Sequence, residues 1–352
     1  MAITKESFGT TADGVRVFLY TIRNGNGMEV SVTDYGANIV KILAPDRFGR
    51  FADVVLGYDT VAGYEKNTPG YGSFIGRHAN RIGGASVVLD GRRYELEKND
   101  GANNLHSGSR GFNKFVYQTV LADNGDSGSV EFSRVSPDME QGLPGNMDVA
   151  VRYTLTENNE LILEYSAAAD KETVINLTNH SYFNLAGHAS GDILGHKVIV
   201  HADSFTPTSD DLIPTGEIRD VTGTPMDFRE FKEVGKEIDA DYIPLRQAGG
   251  YDHNYCLNKT GDGLVPAAEL WEEESGRYMQ VYTDLPGMQL YTGNFIKGDE
   301  TGKDGCCYQR RGGICFETQY YPNACNIPAF PSDIFKAGEN YHSVTVYKFG
   351  IR

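Results

Sequence analysis

The chain has 352 residues, enough for one large β domain or two ordinary ones. A formal charge of −16 deprives it of the positive field that nucleic acid or an anionic membrane surface requires, and makes a polyphosphate substrate unnatural. Its 41 glycines, 21 tyrosines and 17 phenylalanines, with few long helical patterns, point to an all-β sandwich or barrel.

Met1 to Ser7 carries no apolar leader core, and no run approaches membrane-spanning length, so a soluble, cytoplasmic protein is expected. Five cysteines (Cys256, Cys306, Cys307, Cys315, Cys325) are odd in number and lack C-x-x-C spacing. Free thiols in a reducing compartment are the simplest expectation.

Strand candidates fill the first third: Val15 to Ile22, Glu29 to Asp34 and Asn38 to Ala44, bounded by Asp13-Gly14, Asn24 to Gly27 and Pro45-Asp46. Ala85 to Leu89 and Arg92 to Leu96 flank Asp90-Gly91, which supplies the positive φ angles of a type I′ hairpin. Phe115 to Leu121 and Ser129 to Val135 are joined through Asn124 to Gly128. Val149, Val151, Tyr153 and Leu155 alternate with polar residues, as do Leu161, Leu163, Tyr165 and Ala167; these predict an antiparallel pair. Helical pattern is confined to Phe228 to Ile238, with Pro331 to Phe335 as a single turn, and Ser343 to Phe349 is the last strand. No Gly/Ser-rich or Pro-rich linker interrupts the chain, so one domain over residues 1–352 is expected.

Gly312 to Tyr321 reads as a buried strand with a carboxylate in its middle. Alternation puts Gly313, Cys315, Glu317 and Gln319 on one face. A carboxylate there costs several kcal/mol unless a polar group meets it or its pKa rises. Four other stretches are polar where a strand-and-turn chain has little reason to be: Gly76 to Ile82, with Arg77, His78, Asn80 and Arg81; Asn103 to His106; Asn176 to Leu185, which contains His180; and Gly250 to Tyr255, with Asp252 and His253. Singly, each suits a core histidine, a structural ion pair or a turn. Together they suit one concave site assembled from distant segments.

His78, His106, His180, His253 and Glu317 could ligate a metal, but no H-x-H, H-E-x-x-H or H-x-x-x-H spacing makes that specific. No phosphate-cradling glycine loop follows a strand, and a Gly-x-Ser-x-Gly elbow is missing. An acid–base site with no cofactor and no metal is the expectation that remains.

In combination, Gly76 to Ile82, Asn104-Leu105-His106, Asn176 to Leu185, Gly250 to Tyr255 and Glu317-Thr318-Gln319 resemble the galactose mutarotase (aldose 1-epimerase) family. Tyr35-Gly36-Ala37, Pro286 to Thr292 and the ending Tyr347-Lys348-Phe349 support the resemblance, which covers essentially the whole chain in order. It implies a large antiparallel β-sandwich of the mutarotase supersandwich type with few short helices, and a small-molecule aldose as partner. It also implies roles. Glu317 is the expected general base toward the anomeric hydroxyl, His180 the acid toward the ring oxygen, and His106 an assisting hydrogen-bonding group. Asn80, Arg81, Ser181, Tyr182, Asp252 and Gln289 are expected to bind the sugar. Ser107 stands where glycine is common in the family, and Asn323 where aspartate is common.

Interconverting anomers requires opening the hemiacetal, turning the aldehyde and closing it again. A base and an acid on opposite sides of the anomeric centre are the expected pair, each worth about 10²–10⁴-fold. Polar side chains match vicinal hydroxyls, and an aromatic face (Tyr182, or Phe295) covers the apolar side of the pyranose. Three rival readings differ in what they need. A hexose 6-phosphate epimerase wants extra cationic side chains at the rim. A sugar-binding module has no need of both Glu317 and His180. A glycoside hydrolase needs a second carboxylate such as Asp252. The oligomeric expectation is a monomer or weak homodimer.

Overall fold

The computed structural model describes residues 2–125 and 127–352. Asp126, in the turn expected at Asn124 to Gly128, lies outside them. Three antiparallel sheets dominate. The first is a meander of consecutive strands Ala2–Thr10, Arg16–Arg23, Glu29–Thr33, Ile39–Pro45 and Phe51–Asp53. The second has nine strands, with Asn340–Ile351 inserted between Glu160–Ala169 and Arg277–Thr283. The third orders Arg219–Asp220, Ser204–Phe205, Asp252–Cys256, Gly287–Tyr291 and Cys315–Gln319 side by side.

The alternation expected from the sequence is what builds the core. Met147, Val149, Val151, Tyr153 and Leu155 are buried on one face of the strand Met147–Thr156, while Asp148 and Arg152 are exposed on the other. That strand pairs with Glu160–Ala169 as expected, Val151 opposite Tyr165. Its apolar face joins one continuous cluster with Ile22, Val30 and Ile39 of the first sheet and Tyr255, Met288 and Phe316 of the third. The hairpin also forms as expected: Ser86–Leu89 pairs with Arg92–Glu95, and Asp90 and Gly91 take φ of 47° and 71°.

Phe228 to Ile238 does not form the expected helix. Lys232–Glu233 instead pairs with Lys197 and Val198 at the edge of the large sheet, followed by a single 3₁₀ turn, Val234–Lys236. Phe228, Val234 and Ile238 are buried as a helix face would require, but the backbone amides of Val234 and Gly235 bond to the carbonyls of His196 and Leu194. An available sheet edge overrides a weak local preference. Pro331 to Phe335 likewise gives no helical turn, because Ile334–Phe335 pairs with Thr173–Val174. The α-helices are Val61–Lys66, capped by Thr60, and Ile243–Ala248, with Pro244 in its first turn and Gly249 left-handed at its end. Among the described residues no helix is long and apolar enough to cross a membrane.

Candidate acid–base site

The third sheet aligns three of the expected residues by register. Gln289 stands opposite Glu317, and Asp252 opposite Tyr291, which in turn faces Cys315. Two small ladders bring the rest. Thr178–His180 pairs with Ser73–Ile75, and Arg81–Ile82 pairs with Asn104–Leu105, so that Arg81 stands opposite Leu105 and His106 follows directly. Asn80, His106 and Ser107 take left-handed φ of 62°, 50° and 66°, an uncommon concentration for non-glycine residues and one associated with functional sites. Ser107 holds its turn with a hydroxyl that accepts from the His78 amide (2.7 Å) and donates to the His78 carbonyl (3.1 Å). Asn323, also left-handed at 61°, accepts from the Gly83 amide at 3.0 Å. Both departures from the family pattern sit in turns, where such side chains bond to nearby backbone.

Glu317 and His180 meet. His180 Nε2 lies 3.6 Å from Glu317 Oε2, and the His106 and His180 ring centroids are 5.4 Å apart. All three lie close enough to present donor atoms within 4.8 Å of one another. Glu317 is buried, and Oε2 has no hydrogen-bond partner. Burial pushes its carboxyl well above the usual carboxylate range; the Asp252 charge adds to the shift and Arg81 opposes it. Burial pushes His180 down to about 4, so the imidazole is neutral near pH 7. His106 is lowered well below its ordinary value by burial, with His180 and Arg81 adding. Glu317 and His180 thus stand side by side, too close for a sugar to lie between them as the expected opposite-sided pair would need. Such an arrangement suits a hemiacetal, whose hydroxyl and ring oxygens are bonded to the same carbon.

The surrounding polar groups are held in pairs. Gln289 Nε2 donates to Asp252 Oδ1 at 2.6 Å, and Gln319 Nε2 donates to Gln289 Oε1 and Asn254 Oδ1, both at 3.2 Å. Burial raises the Asp252 carboxyl, against the pull of Arg81 and Gln289. Arg81 Nε donates to Asp100 Oδ2 at 2.6 Å, an anchor the sequence reading missed, since a loop aspartate carries no periodic signal. Asn80 Oδ1 accepts from the Arg81 amide at 2.8 Å. Ser181 is buried with its hydroxyl unpartnered. Tyr182 lies differently from the expected sugar platform. Its ring stacks on His180 (4.9 Å, 24°) and its hydroxyl bonds to the Pro69 carbonyl, so it backs the imidazole. Phe295 is the exposed aromatic, stacked on Tyr291 at 6.1 Å.

Two expected candidates stay out of the site. His78 is fully buried with Nε2 at 2.9 Å from Asp333, and His253 Nδ1 accepts from the Asp252 amide at 3.1 Å. His106, His180 and Glu317 form a donor set that would hold a divalent cation in other settings. Here the Asn80 amide donates to His106 Nδ1 at 3.1 Å. The proton of the neutral ring then sits on Nε2, which is a donor and not a metal-ready lone pair. A concavity of about 480 Å³ on the large sheet, lined by Arg134, Asp148, Tyr341 and His342 among others, contains none of these groups.

A carboxyl, two imidazoles, an arginine and several side-chain amides are gathered on a large antiparallel β architecture, a set able to exchange protons and to hydrogen-bond hydroxyl groups. The model of the aldose 1-epimerase family matches residues 19–348. The galactose mutarotase of Bos taurus is 42% identical over 351 residues, covering 100% of this chain and 99% of the relative. The aldose 1-epimerase of Escherichia coli K12 is 36% identical over 340 residues, 96% of each chain. Among solved structures, an aldose epimerase homologue from C. elegans superposes with a TM-score of 0.84 at 31% identity, over 95% of this chain and 98% of that one. A galactose 1-epimerase from Lactobacillus acidophilus gives 0.87 at 25% identity over 99% of each. The chain belongs to the aldose 1-epimerase family.

Proposed function

We propose that the protein interconverts the α and β anomers of a free aldohexose such as galactose or glucose, with Glu317 and His180 moving the protons. The observation that carries this reading is the 3.6 Å approach of these two groups inside a buried site. With the sugar closed, Glu317 as carboxylate takes the proton of the anomeric hydroxyl while His180 as imidazolium gives one to the ring oxygen. That step breaks the ring C–O bond and leaves a carboxylic acid, a neutral imidazole and the open-chain aldehyde. After rotation about one bond, the reverse transfers close the ring. The pair carries one proton throughout, and the form favoured by burial, acid plus neutral imidazole, is the form that accompanies the aldehyde. On this reading His106 Nε2–H donates to an oxygen of the reacting centre. Arg81, Asn80, Asp252, Gln289 and Ser181 orient the hydroxyls, and Phe295 offers an aromatic face at the rim. No cofactor or metal enters the steps.

A phosphorylated sugar fits poorly, because the arginine at the centre is already tied to Asp100. We take residues 1–352 as one unit, since a single apolar cluster draws on all three large sheets. Five cysteines free of disulfides suit a reducing compartment, and on that ground we place the protein in the cytoplasm, as a monomer or weak homodimer.

Polarimetry over a panel of fresh α-aldoses tests the reading. Galactose or glucose should equilibrate far faster with the protein than without, hexose 6-phosphates should not, and a chromogenic galactoside should stay intact. Preferential turnover of the phosphorylated sugar, or release of the chromophore, overturns it.

The shared proton fixes a pH profile. As pH falls through about 4, His180 gains a second proton while Glu317 keeps its own, so no base remains and the rate drops. As pH rises through the elevated Glu317 value, the pair loses its only proton, so no acid remains and the rate drops again. kcat/KM should therefore be bell-shaped, with limbs belonging to the pair jointly. A rate that only climbs with pH would point to a lone base.

A further inference from the structure

Arg81 is the cation facing the buried carboxyls, and its charge opposes the upward shifts of both Asp252 and Glu317. A guanidinium carries five N–H donors in a fixed fork. Among the described residues Arg81 is tied through Nε alone, at 2.6 Å from Asp100 Oδ2, which leaves its terminal nitrogens for a ligand. The carboxylate is itself braced. Asp100 and Asn103 exchange backbone hydrogen bonds of 3.2 and 2.9 Å across a turn in which Gly101 takes φ of 61°. Before that turn, the Asn99 side-chain amide bonds to both backbone groups of Leu105, the residue paired with Arg81. After it, Asn103 Oδ1 accepts from the Gly84 amide at 2.9 Å. Both partners of the ion pair are therefore fixed to one short ladder, Arg81–Ile82 with Asn104–Leu105.

We infer that Asp100 is a positioning residue for Arg81: it takes up Nε, holds the terminal nitrogens for the sugar hydroxyls and offsets part of the guanidinium charge beside Glu317. The clasp also keeps the fork from closing on Asp252 or Glu317 as a bidentate pair, which would hold that carboxyl ionised and occupied. The titratable groups facing Arg81 are Asp100, Asp252, Glu317 and His106, with His180 beside them. The Asp100 side chain is 35% exposed against 10% for Arg81, so solvent screens part of its charge and the offset is modest. The inference rests on the sugar-binding role given to Arg81 above.

Asp100→Ala and Asp100→Asn, read against the parent, test it. Alanine removes both anchor and charge; asparagine keeps a carbonyl acceptor for Nε and removes the charge alone. The alanine variant should raise KM for galactose about three- to tenfold, the worth of one hydrogen bond, with kcat within about twofold of the parent. Asparagine should keep KM near parental. In both variants the alkaline limb of the pH profile should move about half a unit to lower pH. The guanidinium charge is then less opposed and favours loss of the proton shared by Glu317 and His180. A residue that only stabilised its turn would lower the melting temperature and leave that limb in place. Arginine ¹H–¹⁵Nε spectra without sugar give a readout independent of turnover. The Arg81 Nε–H should exchange slowly with water in the parent and the asparagine variant, and rapidly in the alanine variant. An alanine variant with parental KM, an asparagine variant with a parental alkaline limb, or a parent whose Arg81 Nε–H exchanges as fast as the alanine variant's overturns the assignment. A parent that fails to catalyse mutarotation instead removes the functional reading, and the Nε–H exchange then decides the clasp by itself.

Discussion

Glu317→Gln should lower kcat for anomer interconversion by about 10²–10⁴-fold while leaving the fold intact. Glutamine keeps the size and shape of the side chain and removes only its ability to take and return a proton. The parent site gives the carboxyl little that glutamine would forfeit: Oε2 has no hydrogen-bond partner, and burial already favours the neutral acid. A buried carboxylate is costly, so the amide should be at least as well tolerated in the strand Cys315–Gln319. Polarimetry on fresh α-D-galactose measures the loss, and a thermal melt by circular dichroism checks the fold. If the variant turns over galactose as fast as the parent, Glu317 is not the base.

The parts of this architecture that were legible in the sequence are those whose burial repeats along the chain. Met147–Thr156 and Glu160–Ala169 each run for ten residues with one face in the core, and their alternation is unambiguous. Asp90-Gly91 was legible because few dipeptides accommodate two positive φ angles. Strand order was not. Nothing in residues 340–351 announces that they lie between two strands more than a hundred residues apart in the chain. Phe228 to Ile238 misled because apolar residues near helical spacing can equally be buried by a loop that docks on a sheet edge.

The site divides along the same line. Glu317 and His180 stood out because each is a charged or titratable residue in an otherwise apolar run, which is a local anomaly. Arg81 sits in a ladder of two residues and His106 just past its partner strand, too short to leave any period; the polarity of their stretches marked them, and only the family resemblance gave them roles. Asp100 meets the site only through Arg81, and such dependence exists only in three dimensions. Tyr182 shows the reverse case: an aromatic beside a catalytic candidate reads as a sugar platform, whereas its face is occupied by the imidazole.

His180→Asn is expected to cut kcat by about 10²–10⁴-fold, a loss comparable to that of Glu317→Gln but with a different pH signature. Asparagine keeps a donor near Nδ1 but cannot carry a proton to the ring oxygen, and it leaves Tyr182 without its stacking partner. What separates the two variants is which limb survives. Without His180 the residual rate depends on Glu317 as base alone, so it should rise as pH passes the carboxyl's elevated pKa, and the limb near about 4 should vanish. Without Glu317 the imidazole is left as the only group able to exchange a proton, so a single transition belonging to His180 should remain. An unaltered kcat in His180→Asn would remove the residue from the acid role. Two variants with identical residual profiles would instead mean that the pair does not share its proton, because each profile is fixed by the partner left behind.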